Sequence, residues 1–444
     1  MAARKTARFL SYISAFFGLL TIIKSPPGIL GGVVWLPKLW AGAWAPFLAI
    51  LGAAGALLSG TKKDPRGLWA GLLGMAFGMR YTLKVTAEKD RFAPVFGPDW
   101  EDRIPVDLRA RLPAGRYKLI QPASPTAPGI RDVMIGLSGN SEHPLLCDIW
   151  VPPGGVPRTG LAVIYLHGGL WQALDKDFLT QPLFRRLASQ GHVIMDLAYS
   201  LSPESGLDCM LGEVRQAVLW MKKYSGGFGV NPERIVLMGV SGGAHLALLT
   251  AYAPSHPAFQ LEGRAADMTV RGVISISGVT DLQAFFREYG QTNPRQPEFS
   301  SQITGDLRPR IYDKTWLDKF MTRRRVFPAY RHANMPGGPL LLIYLLGGTL
   351  SEVPEAYQLA SPIAHVGLHC PPTLHVYGED DFVVNTSQGR RLHQSLCAAG
   401  AASIYIELPD TVHGFDQYFG VSRRVAPAAQ SVAYDLDRFL ALLA

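Results

Sequence analysis

The sequence predicts an α/β protein: a mostly parallel sheet with helices on both faces, an inserted cap, and an apolar helical segment before the sheet. Three observations indicate this. Strand-like runs alternate with helix-like runs from about residue 131, several strand runs are almost entirely apolar, and residues 281–360 interrupt the alternation. Strands that are buried on both faces of a parallel sheet are expected to be apolar throughout, with helices as crossover connections.

The excess positive charge of the chain lies in its first region. The 444-residue chain has a formal net charge of +8. Residues 1–84 contain ten Lys or Arg side chains and one acidic residue, Asp64, so the rest of the chain is close to neutral. A nucleic-acid-binding domain would carry its basic stripe on the folded domain. We therefore expect no nucleic-acid partner and interpret the basic residues as flanks of membrane segments.

Residues 1–84 are predicted to form a membrane anchor of two or three apolar helices. The runs 9–23 and 39–61 contain no charged residue, and a third apolar run covers residues 67–79. A membrane-spanning helix needs about 20 apolar residues, which the second run provides. A cleaved signal peptide is disfavoured because no small-residue cleavage site follows the first run.

The number of membrane spans would decide which side of the membrane holds the large domain. With two spans, the basic clusters before the first run and after the second lie on one side, which the positive-inside rule identifies as the cytoplasm. A third span would move the large domain to the opposite side. The sequence thus predicts a multi-pass membrane protein and leaves the side open.

Residues 85–130 are predicted to connect this anchor to an α/β domain at 131–444. We expect eight strands, at 132–137, 144–151, 161–167, 192–199, 234–240, 270–278, 372–378 and 402–409. The helices that we expect between or after them include 178–191, 210–229, 387–400 and 427–444. Residues 281–360 contain no clear strand, and we expect them to form a cap over the functional site, the alternative being a long surface excursion.

The segment Gly239-Val240-Ser241-Gly242-Gly243 lies where the apolar run RIVLM ends and the helix-like run AHLALLTA begins. A sharp strand-to-helix turn forces its central residue into a strained backbone conformation, and small neighbours avoid steric clashes. Such a turn would place the Ser241 hydroxyl at a helix N-terminus, where free N–H groups stabilise negative charge. This context favours a nucleophilic serine over a turn that only accommodates a serine.

A nucleophilic serine requires a general base and an acid that orients the base. His413 follows the last predicted strand and precedes Gly-Phe, which makes it the candidate base. Asp381 is the candidate acid, because it follows Gly378 by three residues in a loop after a predicted strand. The adjacent Asp380 remains the alternative.

The loop YLHGGLW, residues 165–171, is the candidate oxyanion hole. Gly168 and Gly169 allow backbone N–H groups to approach the carbonyl oxygen of a substrate, and the N–H of Gly242 is a further candidate donor. His167 is a candidate for positioning this loop. We predict that Trp171 binds substrate, with simple packing at the rim as the alternative.

The order HGG, GVSGG, GEDD and HG between residues 165 and 414 resembles the α/β-hydrolase superfamily, in particular its esterase and lipase branch. The segment DLAYSLSPE resembles the DYRLSPE-like segment of those enzymes. HGGLW and GVSGGAHLALL are similar to isoprenylcysteine methylesterase-like and kynurenine formamidase-like members. The resemblance covers about residues 131–444 and implies an α/β-hydrolase fold. Leu170 stands where many members have a third glycine, which leaves a third oxyanion donor open.

These observations predict a membrane-anchored serine hydrolase that cleaves carboxylic esters of a small-molecule or lipid-like substrate through an acyl-enzyme. One alternative is an arylformamidase or another amide hydrolase with the same triad. The other is a catalytically silent hydrolase fold that acts as a binding protein. The sequence has no metal-protease or nucleotide-binding motif, so we expect no metal and no cofactor. The oligomeric state is not predicted.

Overall fold

The computed structural model describes residues 2–26, 29–138, 143–203, 205–259, 267–292, 339–416 and 423–444. The chain divides into two compact units. The first comprises Met1–Thr126, Leu374–Gly389 and Ile404–Ala444, and the second comprises Ala127–Thr373 and Arg390–Ser403. The central part of the predicted cap, residues 293–338, lies outside the described residues.

The secondary structure elements are numbered along the chain. The strands are β1 (Gly129–Leu137), β2 (Pro144–Trp150), β3 (Ala162–Leu166), β4 (Val193–Ala198), β5 (Ile235–Val240), β6 (Gly272–Ile276), β7 (Thr373–Gly378) and β8 (Ser403–Leu408). The helices are α1 (Ala2–Leu20), α2 (Ile29–Thr61), α3 (Pro65–Val85), α4 (Ala93–Phe96), α5 (Val106–Arg109), α6 (Gln181–Ser189), α7 (Leu207–Phe228), α8 (Gly242–Tyr252), α9 (Leu282–Thr292), α10 (Pro339–Leu346), α11 (Pro354–Leu359), α12 (Thr386–Ala398) and α13 (Pro427–Leu443).

All eight predicted strands are confirmed, with ends that differ from the prediction by at most three residues. The helices predicted at 178–191, 210–229, 387–400 and 427–444 correspond to α6, α7, α12 and α13. The sequence was sufficient here because its apolar strand runs are bounded by polar, Gly- or Pro-containing turns.

The second unit is built on six strands in the order β1-β2-β4-β3-β5-β6. The pairs β1–β2 and β2–β4 are antiparallel, whereas β4–β3, β3–β5 and β5–β6 are parallel. Every residue of β3, β5 and β6 is buried, as expected for strands that are covered on both faces. Helix α8 is also buried along its whole length.

The predicted cap region has helices at both of its described ends. Helix α9 begins at Leu282, α10 begins at Pro339 and α11 begins at Pro354. Among the described residues of 281–360 there is no strand, in agreement with the prediction. The aromatic and basic run at 312–327 lies outside the described residues, and its role as a cap stays a prediction.

The first unit contains the three N-terminal helices, β7, β8 and α13. Helices α1, α2 and α3 pack closely because small residues lie at their contacts. A Cβ atom on Gly52 would lie 2.6 Å from the Gly71 carbonyl oxygen, and one on Gly78 would lie 2.4 Å from the Ala45 carbonyl oxygen. Small residues of this kind let helix backbones approach each other in membrane proteins.

One helix among the described residues, Leu30–Thr61, is long and apolar enough to cross a membrane. The prediction of a multi-pass anchor is therefore not supported. Helices α1 and α3 carry basic residues near their ends, and charged side chains within a span are unfavourable. These residues are Arg4, Lys5 and Arg8 in α1, and Arg66, Arg80 and Lys84 in α3.

Candidate active site

Ser241 occupies the sharp turn between β5 and α8. Its backbone has φ +53° and ψ −117°, in a region that residues other than glycine rarely adopt. A Cβ atom on Gly239 would lie 2.3 Å from the Gly243 carbonyl, and one on Gly243 would lie 2.2 Å from the Leu166 carbonyl oxygen. Both glycines are thus required by close backbone packing, as the sequence motif predicts.

The loop after β3 lies beside this turn. A Cβ atom built on Gly168 would lie 3.6 Å from Ser241 Cβ and 3.3 Å from the Val240 carbonyl oxygen. Gly169 has φ +109°, and a Cβ atom there would lie 2.0 Å from the Ala173 carbonyl oxygen. A side chain at residue 169 is therefore excluded by both the backbone angle and the available space.

His167 and Tyr199 support this loop through hydrogen bonds and ring stacking. The Tyr199 hydroxyl donates to the His167 carbonyl oxygen at 2.7 Å, and the two rings stack with centroids 4.3 Å apart. His167 Nδ1 lies 2.7 Å from the Gly168 carbonyl oxygen, to which it donates. Burial lowers the pKa of His167 to about 4, so the imidazole is neutral at pH 7. The sequence suggested His167 as a positioning residue but gave no role to Tyr199.

Trp171 is fully buried and packs against the start of α8. A Cβ atom on Gly242 would lie 3.1 Å from the Trp171 backbone nitrogen and 3.3 Å from its indole. Trp171 Nε1 donates to His245 Nδ1 at 3.2 Å, and His245 Nε2 donates to the Ala360 carbonyl oxygen at 2.7 Å. Burial lowers the pKa of His245 to about 4. A single neutral tautomer of His245 therefore satisfies both bonds, and this histidine has a packing role.

Asp381 and His413 form a hydrogen-bonded pair in the first unit. His413 Nδ1 lies 2.7 Å from Asp381 Oδ2. The other carboxylate oxygen of Asp381 accepts bonds from the backbone N–H groups of Val383 and Val384, at 3.0 and 2.8 Å. The Asp381 side chain is fully buried, and the His413 side chain is 14% exposed. With Nδ1 donating to Asp381, His413 Nε2 is left to accept a proton.

The surroundings of His413 favour its protonated form. Burial by itself would lower the pKa of His413, but the charge and hydrogen bond of Asp381 and the charge of Asp416 together outweigh it and raise the pKa above its ordinary value. Burial raises the pKa of Asp416. An imidazole with a nearby carboxylate is suited to take up a proton and to carry the resulting positive charge.

The sequence-predicted residues therefore occur in two groups. Ser241, Gly168, Gly169, Gly242 and Trp171 lie together in the second unit. The other group, in the first unit, is the hydrogen-bonded pair of Asp381 and His413, while the carboxylate of Asp380 contacts other residues. Among the described residues there is no group of three or more His, Cys, Asp or Glu side chains that could hold a metal ion.

Comparisons with known proteins find similarity to esterases. The BD-FAE family model matches residues 147–315. Esterase LipQ of Mycobacterium tuberculosis is 28% identical over 348 residues, which cover 76% of this chain and 70% of LipQ. The probable carboxylic ester hydrolase LipM of the same organism is 26% identical over 313 residues, covering 70% of this chain and 60% of LipM.

Two further similarities concern an amide-cleaving relative and a solved structure. Kynurenine formamidase of Danio rerio is 28% identical over 210 residues, covering 45% of this chain and 64% of that protein. A truncated carbohydrate esterase from gut microbiota has a similar fold, with a TM-score of 0.51 and 17% identity over 72% of this chain and 97% of that structure. The chain thus spans less than two thirds of LipM and of the formamidase.

Proposed function

We propose that this chain, which belongs to the esterase-like family of α/β-hydrolases, is a serine hydrolase that cleaves carboxylic esters. The observation that carries the proposal is the 2.7 Å contact between Asp381 and His413, which leaves His413 Nε2 as a base. The strained turn at Ser241 supports the assignment of the nucleophile. The esterase relatives support a carboxylic ester as the bond that is cleaved.

The residues of the proposed triad follow three different strands. Ser241 follows β5, Asp381 follows β7 and His413 follows β8. In α/β proteins the loops at the carboxyl ends of strands build the ligand site. We therefore propose that the three residues act as one catalytic group.

Catalysis would proceed through an acyl-enzyme. Ser241 Oγ attacks the ester carbonyl carbon while His413 Nε2 takes the hydroxyl proton, and Asp381 stabilises the imidazolium. The N–H groups of Gly168, Gly169 and Gly242 are the proposed donors to the oxyanion. His413 then returns its proton to the leaving alcohol. Water attacks the acyl-enzyme in a second round, which releases the acid and restores Ser241.

Trp171 is proposed to shape the substrate site indirectly, because its side chain is fully buried and has no surface for a substrate. Its indole packs on Gly242, the residue after the nucleophile, and its hydrogen bond to His245 fixes the ring. Trp171 would thus act by holding the oxyanion loop against the start of α8, which corresponds to the packing alternative.

The helical segment supports a membrane location for the enzyme. Helix α2 contains the stretch Leu30–Thr61, which is long and apolar enough to span a bilayer. Large apolar side chains are exposed on α1, α2 and α3, including Phe9, Phe16, Leu30, Val33, Leu57, Trp69 and Leu83. Exposed apolar surface of this extent marks contact with a membrane or with another protein, and the length of the apolar stretch in α2 favours the membrane. We therefore propose an apolar or amphiphilic ester as substrate.

Hydrolysis of p-nitrophenyl esters of increasing chain length, by the full chain in detergent, tests the function. The wild type is expected to cleave them, and Ser241→Ala to lower kcat by about 10⁴-fold or more. Ser351→Ala changes an exposed serine and serves as the control. Ester cleavage that survives in Ser241→Ala would contradict the assignment.

The relationship to kynurenine formamidase favours amide cleavage as the second candidate function. The two activities are distinguished by comparing kcat/KM for an aryl ester and an arylformamide that have the same aryl group. The ester proposal predicts a higher kcat/KM for the aryl ester. A higher kcat/KM for the formamide would favour the amide hydrolase.

A further inference from the structure

We infer that the start of α2 and the segment before it position the Asp381–His413 pair, chiefly through Trp35 and Lys38. This inference rests on the proposed function, because it assigns the contacts to the same triad. It gives the N-terminal helices a task in catalysis in addition to membrane attachment.

Trp35 contacts the loops of both members of the pair. Its indole Nε1 donates to the carbonyl oxygen of His413 at 2.7 Å. Its ring meets the ring of Phe382, the residue directly after Asp381, edge to face with centroids 6.4 Å apart. One side chain of α2 therefore fixes the backbone at the base and packs beside the acid.

Lys38 holds the residue on the other side of the acid. Its ammonium group forms an ion pair with Asp380, and the two side chains are 2% and 9% exposed. The backbone N–H and the hydroxyl of Ser25 also donate to Asp380 Oδ2, at 2.9 and 2.8 Å. A buried carboxylate is tolerated only with such partners, so these contacts keep Asp380 in one place.

Helix α3 supports the loop that precedes His413. Arg80 Nη1 lies 2.9 Å from Asp410 Oδ2, and the Tyr81 hydroxyl lies 3.3 Å from Thr411 Oγ1. The N-terminal helices therefore contact residues 410 and 411 before the base and the backbone of the base itself.

These contacts bear on catalysis because the acid lies between two fixed neighbours. Residues 380 and 382 are both held by the N-terminal segment, so the backbone at Asp381 has little freedom. The hydrogen bond from His413 to Asp381 depends on distance and direction. A misplacement of about 1 Å in a catalytic group can lower the rate by about 10²-fold.

The contacts are also compatible with a membrane helix. Lys38 lies near the beginning of α2, and the uncharged run 39–61 follows it. At about 1.5 Å per residue this run is about 34 Å long, which matches the hydrocarbon core of a bilayer. Helix α2 is thus long enough to contact the catalytic loops at its start and to span a bilayer with the rest.

The first test is Trp35→Phe in the full chain in detergent, with p-nitrophenyl butyrate as substrate. The substitution removes the bond to the His413 carbonyl and keeps an aromatic ring. We expect kcat to fall about tenfold with KM within twofold. The acid limb of the kcat/KM profile should move to lower pH, because a weaker contact with Asp381 no longer raises the pKa of His413 as far. Trp69→Phe, at an exposed tryptophan of α3, is the matched control.

The second test is a double-mutant cycle of Lys38→Met and Asp380→Asn, with Lys62→Met as the control for an exposed lysine. Each single substitution leaves a buried group without its ion-pair partner, which is destabilising. The resulting shift of the loop at the acid should lower kcat more than tenfold. The double variant should recover part of the loss. If the single variants do not fold, the inference is tested by Trp35→Phe and by the double variant.

The outcomes separate this inference from the proposed function. An active wild type whose Trp35→Phe and double variants keep the wild-type kcat and pH profile would overturn the inference alone. A folded wild type that neither cleaves esters nor reacts with a fluorophosphonate would overturn both.

Discussion

Asp381 Oδ2 lies 2.7 Å from His413 Nδ1, whereas the carboxylate of the neighbouring Asp380 is paired with Lys38. The two adjacent aspartates therefore have different partners. One faces an imidazole and the other faces an ammonium group. This difference supports Asp381 as the acid of the proposed triad and gives Asp380 a separate, positioning role.

Replacing Asp381 with Asn tests the acid. An asparagine of the same shape can present its NH₂ group to His413 Nδ1 and thereby favour the wrong tautomer of the imidazole. We expect kcat to fall by about 10⁴-fold with little change in thermal stability. Asp107→Asn, at an exposed aspartate, should leave kcat unchanged. Steady-state kinetics check both, and a loss below about tenfold would argue against Asp381.

The pH dependence of kcat/KM tests the protonation of His413. The base must be neutral to accept the serine proton, so activity is lost as pH falls through its pKa. Asp381 and Asp416 raise that pKa above its ordinary value of 6.5 despite burial. We therefore expect the acid limb to have its midpoint above pH 6.5. A midpoint below pH 6.5 would show that the two carboxylates do not act on His413 in this way.

Gly169→Ala tests the packing of the oxyanion loop. An alanine at φ +109° is strained, and its Cβ atom would lie 2.0 Å from the Ala173 carbonyl oxygen. We expect a loss of more than about 1 kcal/mol in the free energy of unfolding, together with a loss of kcat because the loop must shift. Gly226→Ala is the control, because a Cβ atom in this helix meets nothing within 4 Å. There the free energy of unfolding should rise by about 0.5–1 kcal/mol. Chemical denaturation measures both, and equal effects would refute the packing explanation.

Trp171→Phe tests the buried bond between the oxyanion loop and α8. The substitution leaves His245 Nδ1 as a buried acceptor without its donor, which costs about 1–3 kcal/mol. We therefore expect the melting temperature to fall. An unchanged melting temperature would indicate that the indole N–H contributes nothing to stability.

Much of the α/β region could be predicted from the sequence because its signals are local. The strands β3 and β5 are short apolar runs, and the glycines around Ser241 mark the turn between β5 and α8. The same apolar strand runs predicted that Asp381 and His413 lie in the loops after β7 and β8. These features depend on residues that are neighbours in sequence.

The remaining features depend on contacts between distant residues. Lys38 and Asp380 are 342 residues apart, and Tyr199 contacts His167 across 32 residues. Periodicity within one segment cannot reveal such pairs. A single lysine near the start of a long apolar helix was the available signal, since a charge there needs a partner. The multi-pass anchor is not supported because, among the described residues, one helix is long and apolar enough to cross a membrane.

The most direct test of the central claim is labelling of the full chain in detergent with a fluorophosphonate, followed by peptide mapping of the modified residue. We predict one label per chain, on Ser241, which is absent in Ser241→Ala and strongly slowed in Asp381→Asn. A folded wild-type protein that does not react, or that reacts at another residue, would contradict the proposal that Ser241 is an activated nucleophile.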